Sequence, residues 1–157
     1  MNVQGVETLL AEHPIFKDLD PPYLELIAGC ASNVRFEANE QITRQGAPAE
    51  RFYLIRFGKV AIEVFAPGKG PVNILTVGED GLVGWSWLFP PYRSHNDARA
   101  LELTRAIAFD GACLRGKIEN DPKLGYELMK RFSQVVFERL RGAELQLLDV
   151  YGDARSA

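Results

Sequence analysis

Alternating apolar residues between about residues 33 and 110 are the feature that most constrains the fold of this chain. Successive side chains of a strand point to opposite faces of a sheet, so this pattern predicts strands with one buried face. Turns containing glycine or proline interrupt it at 45–48, 57–59 and 67–71. Short strands separated by such turns predict an antiparallel β-roll, a jelly-roll-like barrel, whose last long strand runs from Arg99 to Phe109. The alternating residues are Val34, Phe36, Ile42, Phe52, Leu54, Val60, Ile62 and Val64.

Helical patterns flank the strand region on both sides, which predicts the α+β class. The first covers about residues 3–31 and breaks at His13-Pro14, because a proline disfavours helix in the residue before it. The second covers about residues 111–150, where Asp121-Pro122 supplies a cap and a first-turn proline. Apolar residues then recur every three or four positions, so we predict a long amphipathic C-terminal helix. These residues are Leu128, Phe132, Val136, Leu140, Ala143, Leu147 and Val150.

Length and composition set the broad class of protein. With 157 residues, of which 46% are hydrophobic and 25% charged, the chain suits one domain over residues 1–157. It shows neither the ~20-residue apolar run of a membrane span nor a signal peptide, so we expect a cytoplasmic protein without a membrane partner. The net charge of −3 disfavours nucleic acid as the main partner. Cys30 and Cys113 are expected to be reduced thiols, at least one of them buried.

The segment 81–94 is the strongest candidate for a functional site. It contains two glycines, two tryptophans and an arginine in the order Gly-Leu-Val-Gly-Trp-Ser-Trp-Leu-Phe-Pro-Pro-Tyr-Arg-Ser. Free backbone N–H groups at the start of a helix, with a cation nearby, suit an anion. We therefore predict a short helix that begins after Gly84, with Gly84, Trp85 and Ser86 at its mouth.

With these elements, the chain resembles the cyclic nucleotide-binding domain of the catabolite activator, of kinase regulatory subunits and of gated channels. Residues 13–19 and 24–27 match its N-terminal helices, and residues 36–46 match its second and third strands. The most specific match is the strand–glycine turn–strand hairpin at 52–60, and residues 81–89 fall at its phosphate-binding cassette. The resemblance covers about residues 8–145 and implies a stand-alone, non-enzymatic regulatory domain for signal transduction.

The cassette departs from the family pattern at two positions. In that family a glutamate follows the glycine and binds the ribose, and an arginine about nine residues later binds the phosphate. Here Gly84 is followed by Trp85, and Ser94 stands nine residues further on. Arg93, one residue early, and Arg99, five residues late, remain alternatives for the cation. Losing a charged hydrogen bond costs about 1.5–3 kcal/mol. The resemblance therefore implies altered or weakened binding of cyclic AMP, cyclic GMP or another small anion, and no cofactor.

Two tryptophans of this segment, and the histidine that directly follows it, leave alternatives open. Trp85 and Trp87 either line a ligand pocket or fill it, and a filled pocket would make the chain a scaffold for protein–protein contacts. Residues i and i+2 cannot share a helix face, so one tryptophan should face the roll and the other outward or toward the long helix. His95 is expected either to contact the ligand or to fix the loop through Asp97, with an Asp97–Arg99 pair as the alternative.

Catalysis and direct DNA binding are both disfavoured by the sequence. A cupin-like enzyme would need several histidines for its metal, whereas the chain has only His13 and His95. We expect no catalytic and no metal-binding residues, and a structural role for His13. We expect no counterpart of the winged helix–turn–helix of the family's transcription factors after the long helix, and therefore no direct DNA binding. The resemblance implies a homodimer through this helix and an effector protein as partner.

Overall fold

The computed structural model describes residues 3–156, with side chains over 5–152, and it confirms the predicted α+β class. Two four-stranded antiparallel sheets form a β-roll between N-terminal and C-terminal helices. The helices are α1 Val3–Glu12, α2 Pro21–Ala28, α3 Gly111–Asn120 and α4 Pro122–Ser156. The strands are β1 Ala31–Phe36, β2 Gln41–Thr43, β3 Arg51–Phe57, β4 Val60–Ala66, β5 Gly70–Val77, β6 Leu82–Val83, β7 Asp97–Ala100 and β8 Thr104–Asp110.

The first sheet has the strand order β1-β8-β3-β6, and the second has the order β2-β7-β4-β5. In the first sheet, β3 pairs with β8 from Arg51 opposite Asp110 to Phe57 opposite Arg105. The predicted single strand from Arg99 to Phe109 is wrong, because β7 and β8 belong to different sheets. The chain must cross from one sheet to the other between Ala100 and Thr104, which ends the alternation there.

The β3–β4 hairpin depends on Gly58. Its φ is +100°, a left-handed conformation that side chains disfavour. A Cβ placed there would lie 2.6 Å from the carbonyl oxygen of Leu103. Glycine is therefore required both by the turn and by the close approach of the neighbouring loop.

The face of the first sheet that points toward the helices carries an aromatic core. The Phe52 ring stacks on Trp87 and on Phe109, with centroid distances of 4.6 Å in each pair. Phe132 of α4 meets Phe52 edge-on at 5.7 Å. These four side chains are buried together with Leu24, Ile27, Leu114, Leu124 and Leu128 from the helices.

The opposite face of the same sheet points into the roll and carries smaller side chains. Tyr53 and Ile55 pack there against Ile62 and Val83. Ala98, Ala106 and Ala108 are also buried on this side. Since alanines fill less space than the rings on the other face, this side leaves room for cavities.

Helix α4 is 35 residues long and is buried only over its first turns. Leu124, Leu128 and Phe132 are buried, whereas large apolar residues from Val136 onward are exposed. Arg131 connects the helix to the N-terminal segment, donating to the carbonyl oxygens of Ile15 at 2.8 Å and Lys17 at 2.7 Å. The exposed apolar residues are Val136, Phe137, Leu140, Leu145, Leu147, Leu148, Val150 and Tyr151.

Cys30 and Cys113 form a disulfide, so the prediction of two reduced thiols is wrong. Asp110 begins α3, where its carboxylate accepts a hydrogen bond from the backbone N–H of Cys113 at 2.9 Å. The backbone N–H of Asp110 donates to the carbonyl oxygen of Cys30, also at 2.9 Å. These contacts bring the two cysteine Cα atoms to 5.7 Å although 83 residues separate them in the chain.

Candidate functional site

The candidate site begins at Gly84, directly after the end of β6 at Val83. The φ of this residue is +100°, and an added Cβ would lie 3.4 Å from the Cβ of Phe52. A series of turns follows, and the N–H of Leu88 donates to the carbonyl oxygen of Trp85 at 3.3 Å. The predicted short helix after Gly84 is therefore wrong. The Pro90-Pro91 pair lacks the N–H donors that would extend a helix, and Trp87 is drawn into the core.

Helix α3 holds the 84–96 loop from outside. Arg115 donates a hydrogen bond from its guanidinium to the carbonyl oxygen of Trp87. The same guanidinium carbon lies 4.1 Å from the centroid of the Tyr92 ring, a cation–π contact. Trp87 itself is only 2% exposed. Trp87 is therefore a core residue that anchors the loop.

Five of the six predicted ligand-binding residues lie together. Gly84, Trp85, Ser86, Ser94 and His95 line one cavity of about 110 Å³, which we call the inner cavity. This volume is below the ~300–1,000 Å³ of typical small-molecule sites. The remaining lining residues are Thr43, Ala49, Arg51, Ile62, Val83, Asn96, Ala98 and Arg139.

Trp85 and Arg139 narrow the inner cavity from the side of α4. The guanidinium carbon of Arg139 lies 5.3 Å from the centroid of the Trp85 ring, and the guanidinium donates to the carbonyl oxygen of Leu82. Trp85 also meets Phe132 edge-on at 6.3 Å. Burial lowers the pKa of Arg139 from its ordinary value. The long helix thus contributes a half-buried cation directly to the wall of the cavity.

Neither arginine considered from the sequence lines the inner cavity. Arg93, the sixth predicted residue, is exposed and donates to the carbonyl oxygen of Gly46 at 2.9 Å. Arg99 binds the Glu63 carboxylate at 3.0 Å and the Asn39 side chain at 3.0 Å. The hydrogen bond and charge of Glu63 raise the pKa of Arg99. Both side chains therefore stabilise the roll.

The loop is fixed by Asp97, but through a partner other than those predicted. Its carboxylate accepts a hydrogen bond from the backbone N–H of Gln45 at 2.7 Å. Neither His95 nor Arg99 pairs with this carboxylate among residues 5–152. The contact joins the start of β7 to the turn after β2, and His95 remains exposed at the cavity edge.

Arg51 and Arg139 are the two cations of the inner cavity, and the sequence prediction includes neither. Arg51 precedes Tyr53 and Ile55 on β3 at period-two spacing, which places all three on the interior face of the sheet. That alternation could have identified Arg51. Arg139 lies on α4 beside residues that face solvent, so only the tertiary packing brings it to the site.

His13 connects the N-terminal segment to the turn before β6. Its Nδ1 accepts a hydrogen bond from the backbone N–H of Ile15 at 3.1 Å, so Nε2 carries the proton and donates to the carbonyl oxygen of Asp80 at 2.9 Å. Burial lowers the pKa of His13, partly offset by the hydrogen bond and charge of Asp80. These contacts agree with a structural role.

Two further properties concern the described part of the chain. Over residues 5–152, no three side chains of His, Cys, Asp or Glu are grouped so that they could hold a metal ion. Within the same range, none of the helices combines the length and apolar character needed to cross a membrane.

Several known proteins are similar to this chain in sequence or in fold. The chain is 28% identical over 146 residues to the CRP-like cAMP-activated global transcriptional regulator of Mycobacterium tuberculosis, covering 92% of this chain and 63% of that protein. It is 40% identical over 73 residues to the cAMP-dependent protein kinase regulatory subunit of Schizosaccharomyces pombe, covering 46% of this chain and 17% of that subunit. The chain thus spans less than two thirds of the length of either relative.

A solved cyclic nucleotide-binding domain from Methylobacillus flagellatus has the same fold. Its TM-score is 0.78 at 20% identity, covering 94% of this chain and 83% of that one. The family model of the cyclic nucleotide-binding domain matches residues 33–121, more than half of the chain. The chain therefore belongs to the cyclic nucleotide-binding domain family.

Proposed function

We propose that this chain is a non-enzymatic, ligand-sensing regulatory domain that binds a small anionic ligand in the inner cavity. The observation that carries this proposal is the position of Arg139, a residue of the long helix whose guanidinium lines the cavity. A ligand that competes for this guanidinium would change the contacts of α4 directly. The transcription factor and the kinase subunit to which the chain is similar are both regulatory proteins.

The polar groups of the inner cavity suit an anion. Arg51 and Arg139 supply positive charge, and Ser86, Ser94 and His95 can donate hydrogen bonds. Trp85 occupies the position of the family's ribose-binding glutamate, so the ligand loses that acceptor. Cyclic AMP, cyclic GMP or another small anion is the expected ligand, with altered or weakened binding of the cyclic nucleotides.

The output of the domain is assigned to α4. Its second half exposes apolar side chains that one copy of the chain alone does not bury, including Leu140 and Leu147. The apolar residues from Val136 to Val150 recur at alternating steps of four and three residues, a spacing that suits packing against a second copy of the helix. The proposed assembly is a homodimer that passes ligand binding to an effector protein, without direct contact to DNA.

A titration tests the sensor proposal. Cyclic AMP, cyclic GMP, AMP and ADP are each added up to millimolar concentration, while tryptophan fluorescence and the unfolding temperature are recorded. A ligand at 100 times its Kd should stabilise the protein by about 2.7 kcal/mol. Trp85 should report the binding and buried Trp87 should not, so Trp85→Phe is expected to remove the fluorescence change. Absence of any saturable signal would contradict the proposal.

A scaffold for protein–protein contacts is the second candidate. It is favoured by the small volume of the inner cavity, about 110 Å³, which Trp85 and Arg139 narrow. A scaffold should show no ligand response but should lose its partner contacts when Leu140 and Leu147 are replaced by glutamate. Light scattering of this double variant, compared with a variant at the exposed Lys123, distinguishes a disrupted dimer from a general charge effect.

A further inference from the structure

A second cavity adjoins the inner one and enlarges the candidate site. This outer cavity has a volume of about 360 Å³ and opens between β2, the 44–50 loop and the start of β3. It shares Thr43, Ala49, Arg51 and Ser94 with the inner cavity. Its volume alone falls within the ~300–1,000 Å³ range of small-molecule sites. The other lining residues are Gln41, Ile42, Arg44, Ala47, Pro48, Glu50 and Tyr53.

Arg51 stands at the wall common to both cavities and differs from four nearby arginines whose guanidinium groups already have partners. The guanidinium groups of Arg93, Arg99, Arg115 and Arg139 each donate to a carbonyl oxygen or a carboxylate. Across the side chains of residues 5–152, no hydrogen bond or ion pair involves the guanidinium of Arg51. A guanidinium presents five N–H donors, so this one is available to an anion that enters from either cavity.

The charges around the two cavities favour an anion with more than one negative charge. Arg44 and Arg51 line the outer cavity against a single carboxylate, that of Glu50. Arg51 and Arg139 line the inner cavity, and no carboxylate is among the described residues that line it. This excess of positive charge lies in a chain whose net charge is −3. A cleft lined by one sign of charge concentrates ligands of the opposite sign.

Tyr53 adds a neutral donor to the outer cavity. Burial raises the pKa of its phenol, while the nearby Arg51 guanidinium acts in the opposite direction. The phenol therefore stays protonated near neutral pH and can donate to an oxygen of the ligand. Thr43 and Ser94 offer hydroxyl groups on the same wall.

We propose that Arg51 binds the anionic group of the ligand at the junction of the two cavities, and that the ligand extends into the outer cavity toward Arg44. This inference rests on the proposed function and specifies its ligand class, a linear phosphate chain such as that of a nucleoside diphosphate. A cyclic phosphodiester carries one negative charge and would engage one guanidinium. A linear diphosphate carries more charge and can contact both Arg44 and Arg51.

Calorimetric titration of the full chain at constant low salt tests this inference with three probes: ADP, pyrophosphate and cyclic AMP. We expect ADP to bind about 10-fold or more tightly than cyclic AMP, because a second charge-assisted contact is gained. Pyrophosphate binding as tightly as ADP would assign the site to the phosphate chain alone. Tighter binding of ADP would assign it to a nucleotide. Both results support the inference.

Arg51→Gln should weaken ADP binding about 10- to 100-fold, the loss expected for a charge-assisted hydrogen bond. Arg51→Lys keeps the positive charge but lacks the planar set of N–H donors of a guanidinium. It should therefore recover part of the lost affinity for ADP. The matched control is Arg35→Gln, which removes the same charge from an exposed residue of β1. Arg35 lies away from both cavities, and its guanidinium pairs with the Glu37 carboxylate at 3.0 Å. The unfolding temperature of each variant without probe verifies that it folds.

The outcomes separate this inference from the proposed function. If cyclic AMP binds as tightly as ADP and Arg51→Gln leaves both affinities unchanged, the inference is wrong while the sensor proposal stands. If no probe binds to the unaltered chain, the inference is wrong, and the sensor proposal is wrong as well if cyclic GMP also fails to bind in the titration described above.

Discussion

The two faces of the first sheet differ in packing, although the same strands form both. Toward the helices, the ring of Phe52 stacks between the rings of Trp87 and Phe109. Toward the roll, Tyr53 and Ala108 alternate with them along the same strands, and Tyr53 lines the outer cavity. Stability is therefore concentrated on the helix-facing side, and room for a ligand on the interior side. Substitutions on the two faces should differ accordingly.

Phe52→Ala should have the largest effect. The side chain is fully buried between two stacked rings, so its removal should lower the free energy of unfolding by about 3–5 kcal/mol. Ile62→Ala, on β4 of the second sheet, faces the roll interior beside the inner cavity and should cost about 2 kcal/mol, the low end for such changes. Denaturant unfolding monitored by circular dichroism measures both. Equal losses would contradict the contrast between the faces.

Loss of the disulfide should come next. Cys30 and Cys113 link the end of α2 to α3 on the helix-facing side, and closing a long loop stabilises the fold by about 2–4 kcal/mol. Cys113→Ser should lower the unfolding free energy by that amount, and so should dithiothreitol added to the unaltered chain. Dithiothreitol should have no effect on Cys113→Ser, which serves as the control. An unaltered chain that is insensitive to reductant would refute the cross-link.

The same Ala→Val enlargement in the helix-facing core and in the roll interior gives a direct contrast of packing. Ala28→Val enlarges a buried residue of the helix-facing core and should cost about 1–3 kcal/mol. Ala98→Val points into the inner cavity and should change the unfolding free energy by less than about 1 kcal/mol. Thermal unfolding of the two variants measures the difference. A costlier Ala98→Val would show that the interior face is as closely packed as the other.

The pH dependence of His13 should be the smallest effect. Because burial lowers its pKa, the folded state holds fewer protons than the unfolded state between the folded pKa and the ordinary value of about 6.5. The free energy of unfolding should thus decrease as pH falls below about 6.5, by at most about 1.4 kcal/mol per pH unit. Unfolding at pH 7.5 and 5 measures this slope. His13→Gln should reduce it.

The fold was accessible from the sequence because its signals are local. Period-two alternation marks the strands, and Gly58 marks the hairpin that the family shares. For the same reason, the sequence alone could partly indicate whether each tryptophan fills a pocket or lines it. Trp87 follows the packing expected of a core tryptophan, while Trp85 lines the inner cavity.

The features that the sequence could not predict all depend on distant partners. The Cys30–Cys113 disulfide joins residues 83 positions apart, and no spacing rule reveals it. Arg99 is satisfied by Glu63 and Asn39, which leaves it unavailable to the cavity. Counting from Gly84 along the loop therefore identified residues that line the inner cavity, but the cations of that cavity come from β3 and α4.

The position of Arg139 along α4 also determines how far the end of the helix would move if the helix tilted at that residue. The helix continues for 17 residues beyond it, from Leu140 to Ser156, which at 1.5 Å per residue is about 25 Å of rod. A tilt of about 10° at the position of Arg139 would carry the far end by about 4 Å, roughly the rise of three residues. A ligand that moves one guanidinium by a small distance would thereby produce a displacement large enough to re-register a neighbouring helix. If the proposed function holds, the length of α4 beyond Arg139 would amplify the movement that the ligand causes.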